Sequence, residues 1–271
     1  MPVYVEGRGP YPFILDTGAD STAVYTWFAR QGPLKPTPGE AEQLSGQTGS
    51  TKVAMYQVED VALGGRHLRH FKAYGLPDRR DAGREAGVLG NDFMDGAIVA
   101  FDFPCRRVEV RGKSGDQGAV VGRGAGPTIA GVDSGTTLLT LPVTVNGANG
   151  VAIVDTGSRN TRLTPSFAMA AGIDTASPAF RDGAPIYGAN SNAMTPREGP
   201  IGVVGFAGVR IADARAQVID LPVLREDFGG KPAMLLGADL LGRYRLIYDH
   251  EDRKIWLRPS RCAAPAGPSN G

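Results

Sequence analysis

One block of this 271-residue sequence is written twice. Pro2-Val3-Tyr4-Val5-Glu6-Gly7 returns as Pro142-Val143-Thr144-Val145-Asn146-Gly147, and Phe13-Ile14-Leu15-Asp16-Thr17-Gly18 returns as Ala152-Ile153-Val154-Asp155-Thr156-Gly157. Thr22 and Thr161 follow at matching places. The copies also end alike: Gly87-Val88-Leu89-Gly90-Asn91-Asp92-Phe93 matches Met234-Leu235-Leu236-Gly237-Ala238-Asp239-Leu240. Phe101-Asp102 through Arg106-Arg107-Val108 matches Tyr248-Asp249 through Arg253-Lys254-Ile255. Landmarks repeated in one order are the mark of a duplicated structural unit. Copy one spans about 1–111 and copy two about 140–259.

Each copy alternates apolar and polar residues, turns at glycine, and runs a second apolar segment into Asp-Thr-Gly, which reads as strand, turn, strand. Glycine numbers 38 of 271 residues, twice the usual ~7%, so tight turns and short strands are expected. A hydrophobic content of 42% is enough for a core. No Gly-X-Y period is present, so a collagen-like chain is excluded. Helix signals are few. Thr164 as cap and Pro165 at the first position predict a short helix through Ala170. Further short helices are expected at Glu85 to Gly87 and at Asp239–Leu241. Residues 112–139 are rich in glycine and read as a linker, with one short strand at Ala119–Val121. Residues 260–271 are small and polar, and a disordered tail is expected there.

Charge and composition remove several function classes. With 29 Lys and Arg against 28 Asp and Glu, no nucleic-acid partner is expected. Neither cysteine sits in a CxxC pair, and His67 and His70, three apart on a strand, point to opposite faces, so no metal or other cofactor is expected. Cys105 and Cys262 allow either one bridge or two free thiols. The longest uncharged run, Ser134 to Val154, contains Pro142, Asn146, Gly147, Asn149 and Gly150, and reads as two strands, not a membrane span. Met1 runs directly into a strand, so a trimmed chain is expected and no compartment is read from its start.

A single Asp-Thr-Gly is most simply a capped turn. Two of them at the ends of buried strands in a duplicated unit can set two carboxyls face to face. Such a pair cannot ionise twice and shares a proton, so one member serves as base and the other as acid. Ala19 follows one motif and Ser158 the other. The Ser158 hydroxyl is expected to donate to its neighbouring carboxylate, making Asp155 the ionised member and Asp16 the proton carrier.

These motifs, together with Val88-Leu89-Gly90 and Leu235-Leu236-Gly237, resemble those of the aspartic proteases, and specifically a single-chain, duplicated form of the retropepsin-like fold. The resemblance covers nearly all of residues 1–259. It implies a mainly β fold of two β-barrel lobes related by a pseudo-twofold axis, with short helices, acting as an aspartic endopeptidase through Asp16 and Asp155. The alternative is a non-catalytic module that binds peptide or protein on the same fold. It further implies that Thr17 and Thr156 interlock the two loops, that Gly18 and Gly157 let backbone approach the carboxyls, and that Gly90 and Gly237 are structural. Flap segments are expected at Leu44 to Ser50, with Ser45, Gly46, Gln47 and Gly49, and at Tyr187 to Asn192, with Tyr187, Gly188, Ala189 and Asn190. Two candidates favour two closing flaps. Asp133-Ser134-Gly135-Thr136-Thr137 also looks like the family motif, but no matching hairpin precedes it and it reads as a linker turn. A peptide or protein substrate and a monomer that is its own pseudo-dimer follow from the resemblance. By analogy with bacterial relatives of this type, a periplasmic or exported domain is expected, with cytoplasmic residence left open.

Overall fold

The computed structural model describes residues 1–32, 34–80, 83–113, 121, 129–130, 136–188 and 192–262. The first copy supplies β1 (Pro2–Val5), β2 (Arg8–Leu15), β3 (Ala23–Tyr25), β4 (Lys35–Gly46), β5 (Gly49–Leu63), β6 (Arg66–Leu76) and β7 (Gly87–Leu89). They pair in the order β1-β2-β7-β3-β6-β5-β4, and β1 also pairs with β5, which closes six of them into a barrel. Two hairpin strands follow, β8 (Ala97–Asp102) and β9 (Arg107–Gly112), then a short β10 (Ile129–Ala130).

The second copy supplies β11 (Thr140–Val145), β12 (Ala148–Val154), β13 (Arg162–Leu163), β14 (Arg181–Asp182), β15 (Ile186–Tyr187), β16 (Ala193–Met194), β17 (Arg197–Phe206), β18 (Val209–Val218) and β19 (Ala233–Leu236). The order β11-β12-β19-β13-β18-β17-β14, with β11 also on β17, repeats the first barrel strand for strand. β20 (Tyr244–Asp249) and β21 (Lys254–Pro259) then mirror β8 and β9.

Local chemistry explains the repeat. Glu6-Gly7 and Asn146-Gly147 are two-residue hairpin loops with positive φ at both positions, the geometry that matches strand twist and favours Asn-Gly. β7 and β19 lie between two strands of their barrels and are buried along their whole length. That is why they read as unbroken apolar runs instead of alternating ones. The helix Pro165–Ala170 forms as expected, with Thr164 Oγ1 accepting from the Phe167 amide at 3.3 Å, and a helical turn occupies Ala238–Leu241. The helix expected at Glu85 to Gly87 does not form. Gly87 instead opens β7 beside Phe13, where an added Cβ would lie 2.3 Å from the Ala23 carbonyl oxygen. The strand expected at Ala119–Val121 falls largely outside the described residues.

The copies meet in a five-stranded sheet, β10-β21-β20-β8-β9. Its central pairing joins the halves, Leu246 against Phe101, Ile247 against Ala100 and Tyr248 against Val99. Both faces of this sheet are covered. Val99, Phe101, Leu246 and Tyr248 join the main core, while Ile98, Ala100, Ile247 and Trp256 cluster on the other side. A disulfide between Cys105, in the β8–β9 turn, and Cys262, just past β21, ties the same halves together. It anchors the start of the segment expected to be a free tail. Among the described residues no helix is long and apolar enough to cross a membrane.

Tyr248 carries this sheet's influence inward. Its buried Oη donates to Asn91 Oδ1 at 2.9 Å, and Asn91 Nδ2 donates to the Thr17 carbonyl at 3.2 Å. Tyr248→Phe strands a buried acceptor, so the urea midpoint should fall by the equivalent of about 1–3 kcal/mol with an unchanged slope.

Candidate active site

β2 and β12 each deliver an aspartate at the point where the strand leaves its parallel partner. Asp16 N–H donates to the Leu89 carbonyl and Asp155 N–H to the Leu236 carbonyl, both at 3.0 Å. Each loop is then braced from below by the chain that follows β7 or β19. Asn91 N–H donates to the Ala19 carbonyl at 2.8 Å and Ala238 N–H to the Ser158 carbonyl at 2.9 Å. Gly90 and Gly237 permit this approach, since a Cβ there would lie 2.6 Å and 2.7 Å from the backbone of Ser21 and Asn160.

The two loops are locked to each other by a reciprocal set of bonds. Thr17 Oγ1 donates to the Val154 carbonyl at 2.6 Å, and Thr156 Oγ1 donates to the Leu15 carbonyl at 2.8 Å. Each hydroxyl also accepts the other threonine's amide, at 3.1 Å and 3.0 Å. Cross-locking brings the carboxyls together, and the negative charge of one bears on the other. Gly18 and Gly157 face the opposite aspartate so closely that a Cβ would sit 2.7 Å from Asp155 Cγ and 2.3 Å from Asp16 Cγ. Gly18 N–H donates to Asp16 Oδ1 and Ser158 N–H to Asp155 Oδ1, each at 2.8 Å.

The pair is asymmetric. Burial, reinforced by the negative charge of Asp155, holds Asp16 well above the usual carboxylate range. Burial also raises Asp155, but the Ser158 amide and the Arg162 guanidinium oppose the rise. The Ser158 amide and the Arg162 guanidinium therefore favour the charged form of Asp155, and among the described residues no such cation acts on Asp16. The Ser158 hydroxyl does not bond to a carboxylate; it donates to the Asn160 carbonyl at 2.8 Å and accepts from Arg162 Nη1 at 2.7 Å.

Of the expected flap residues, Ser45, Gly46, Gln47 and Gly49 form the tip of the long β4–β5 hairpin, with Gly46 opposite Gly49. Ser45 and Ser50 hydroxyls bond at 2.8 Å across it. Gln47 reaches the carboxyl pair, with Nε2 at 3.4 Å from Asp155 Oδ2. Tyr187 and Gly188 sit instead at the end of β15, in a two-stranded sheet with β16. There Gly188 N–H donates to Thr48 Oγ1 of the first hairpin at 3.0 Å. Ala189, Asn190 and Asp133 lie outside the described residues.

Several site residues escape a reading by motif. Asp92 and Asp239 bind the amide and hydroxyl of Thr22 and Thr161, closing each loop behind its aspartate. Their recurrence at matching places in both copies was the available signal. Asn91 and Arg162 occur in one copy only and left none. His67 and His70 pair with Asp60 and Glu59 on the surface. Among the described residues, no group of three His, Cys, Asp or Glu is placed to hold a metal ion.

A family model described as "Aspartyl protease" matches residues 1–93 and 141–240, covering both copies. No curated protein matches the chain.

A buried carboxyl whose folded pKa lies above its unfolded value contributes stability that is present below the unfolded pKa and is lost as pH rises through the folded one. Thermal unfolding should therefore show Asp16→Asn gaining stability over the wild-type chain at neutral and alkaline pH, with the difference vanishing toward pH 3–4 (about the unfolded carboxyl value). An Asp16→Asn difference that is constant with pH would contradict the protonated, buried state of Asp16.

Proposed function

This chain belongs to the aspartyl protease family, and we propose that it is an endopeptidase in which Asp16 and Asp155 activate a water against a peptide bond. The observation that carries this reading is the pair of buried carboxyls set against each other on loops locked by Thr17 and Thr156. Fixed groups of matched acidity need no reorganisation as charge develops.

Asp155, as the charged member, takes a proton from water while the oxygen attacks the scissile carbonyl carbon. Asp16 gives its proton to the carbonyl oxygen, which yields a neutral gem-diol. On collapse the C–N bond breaks, the proton held by Asp155 passes to the departing nitrogen, and Asp16 recovers a proton from a gem-diol hydroxyl. The pair ends as it began. The β4–β5 hairpin serves as the flap, laying its backbone along an extended substrate as an added strand would.

Because both aspartates belong to one chain, the active unit is a monomer that supplies its own pseudo-dimer. The Cys105–Cys262 bridge supports residence in an oxidising compartment, periplasmic or exported. The presence of both acids speaks for catalysis over a binding module on the same fold.

Incubation with unfolded casein at acidic and neutral pH tests this. The wild-type chain should cleave it, and Asp16→Asn or Asp155→Asn should each lower kcat/KM by about 10³-fold. No cleavage by the wild-type chain at any pH, or similar residual cleavage by both variants, would sink the assignment.

A further inference from the structure

The duplication breaks at one side chain beside the dyad. Ala23 opens β3 in the first copy, and the matching residue that opens β13 in the second is Arg162. Arg162 is only 9% exposed, and a buried guanidinium is costly unless its donors are matched. Nε donates to Gln217 Oε1 at 3.1 Å, and Nη1 donates to Ser158 Oγ and to Gln47 Oε1, each at 2.7 Å. All three acceptors are neutral, and Nη2 donates to none of the described residues. Asp155 and Asp239 act on the cation at longer range.

Two of these acceptors belong to the second barrel itself. The third is different in kind, because Gln47 sits at the tip of a hairpin from the first barrel. Its carboxamide spans the gap between the cation and the dyad, taking Arg162 on its oxygen and facing Asp155 Oδ2 with its nitrogen. A peptide placed for attack by a water on Asp155 must occupy that position. Its entry therefore displaces the Gln47 side chain and takes an acceptor away from a desolvated guanidinium.

The geometry points to Gln47 as a stand-in for a substrate side chain, and to Arg162 as a specificity-determining residue that accepts an Asp or Glu close to the scissile bond, on the Asp155 side of the cleft. This rests on the peptidase reading and narrows it from peptides in general to peptides with an acidic residue at one defined subsite. A carboxylate is the ligand that fits: Nη1 and Nη2 form a planar fork that a carboxylate meets with two parallel bonds. An apolar side chain at that place would leave buried donors unmatched, which is strongly selected against.

Cleavage sites in unfolded casein, mapped by mass spectrometry, locate the scissile bond. Matched fluorogenic peptides then carry Glu, Gln, Leu or Lys in turn at the two positions on either side of it. The wild-type chain should favour Glu over Leu in kcat/KM by about 10–100-fold at one of these positions, and disfavour Lys there. Arg162→Met should bring the Glu-to-Leu ratio at that position to about one or below, while Arg162→Lys should keep a reduced preference for Glu. A wild-type chain indifferent to Glu at all four positions, or a preference that survives in Arg162→Met, overturns the inference. Binding of the Glu and Leu peptides to Asp155→Asn, followed by fluorescence anisotropy, decides the matter independently of turnover. Equal affinities overturn the acidic subsite even if the peptides are cut, and tighter Glu binding supports it even if none is cut.

Discussion

The arrangement depends on four hydrogen bonds made by two threonines. Thr17 and Thr156 each donate a hydroxyl to the strand end of the opposite loop and accept that loop's amide. All four cross between the copies, so neither loop is complete without the other. Holding two carboxyls in contact opposes their mutual repulsion and their loss of water. The threonine lock is what keeps the loops from parting under that load, and one shared proton removes most of the repulsion.

The rest of the fold keeps the lock in register. Each loop is pinned beneath by the chain after a fully buried strand and behind by an aspartate, Asp92 or Asp239. Between the copies, the shared five-stranded sheet sets the distance that the threonines bridge, and Tyr248 and Asn91 join that sheet to the carbonyl of Thr17. The two barrels close on themselves, whereas β4 is the edge strand of the first sheet and the β4–β5 hairpin reaches toward the second copy, where Gly188 meets Thr48. A braced floor beneath the carboxyls and a hairpin above them are what the proposed hydrolysis would draw on.

Symmetry at the floor and asymmetry around it have separate origins. Backbone contacts recur in both copies, whereas Ser158, Arg162 and Gln47 meet on the Asp155 side alone. The cation there favours the charged form of Asp155, and burial favours the neutral form of Asp16. A duplicated unit thereby sets two chemically identical residues in different electrostatic surroundings.

What the sequence determined by itself was the duplication and the elements that carry its Asp-Thr-Gly motifs. Repetition of strand, turn and Asp-Thr-Gly located the barrels, the paired aspartates and their threonines, because these depend on short-range periodicity and on turn chemistry that recurs in each copy. The short helix after Thr164 was legible for the same reason, as a cap and a proline act within one turn. The strand at Gly87 was missed because close packing against Phe13 and Ala23, far away in sequence, overrides its local character. Tertiary structure alone decided which hydroxyl, amide or cation reaches each carboxyl. The Ser158 hydroxyl turns from Asp155 to Asn160, Arg162 comes in from beyond the motif, Gln47 arrives from 108 residues away, and Cys105 finds Cys262 across 157. Those contacts are set by how two closed barrels dock, and no periodicity along a chain encodes that.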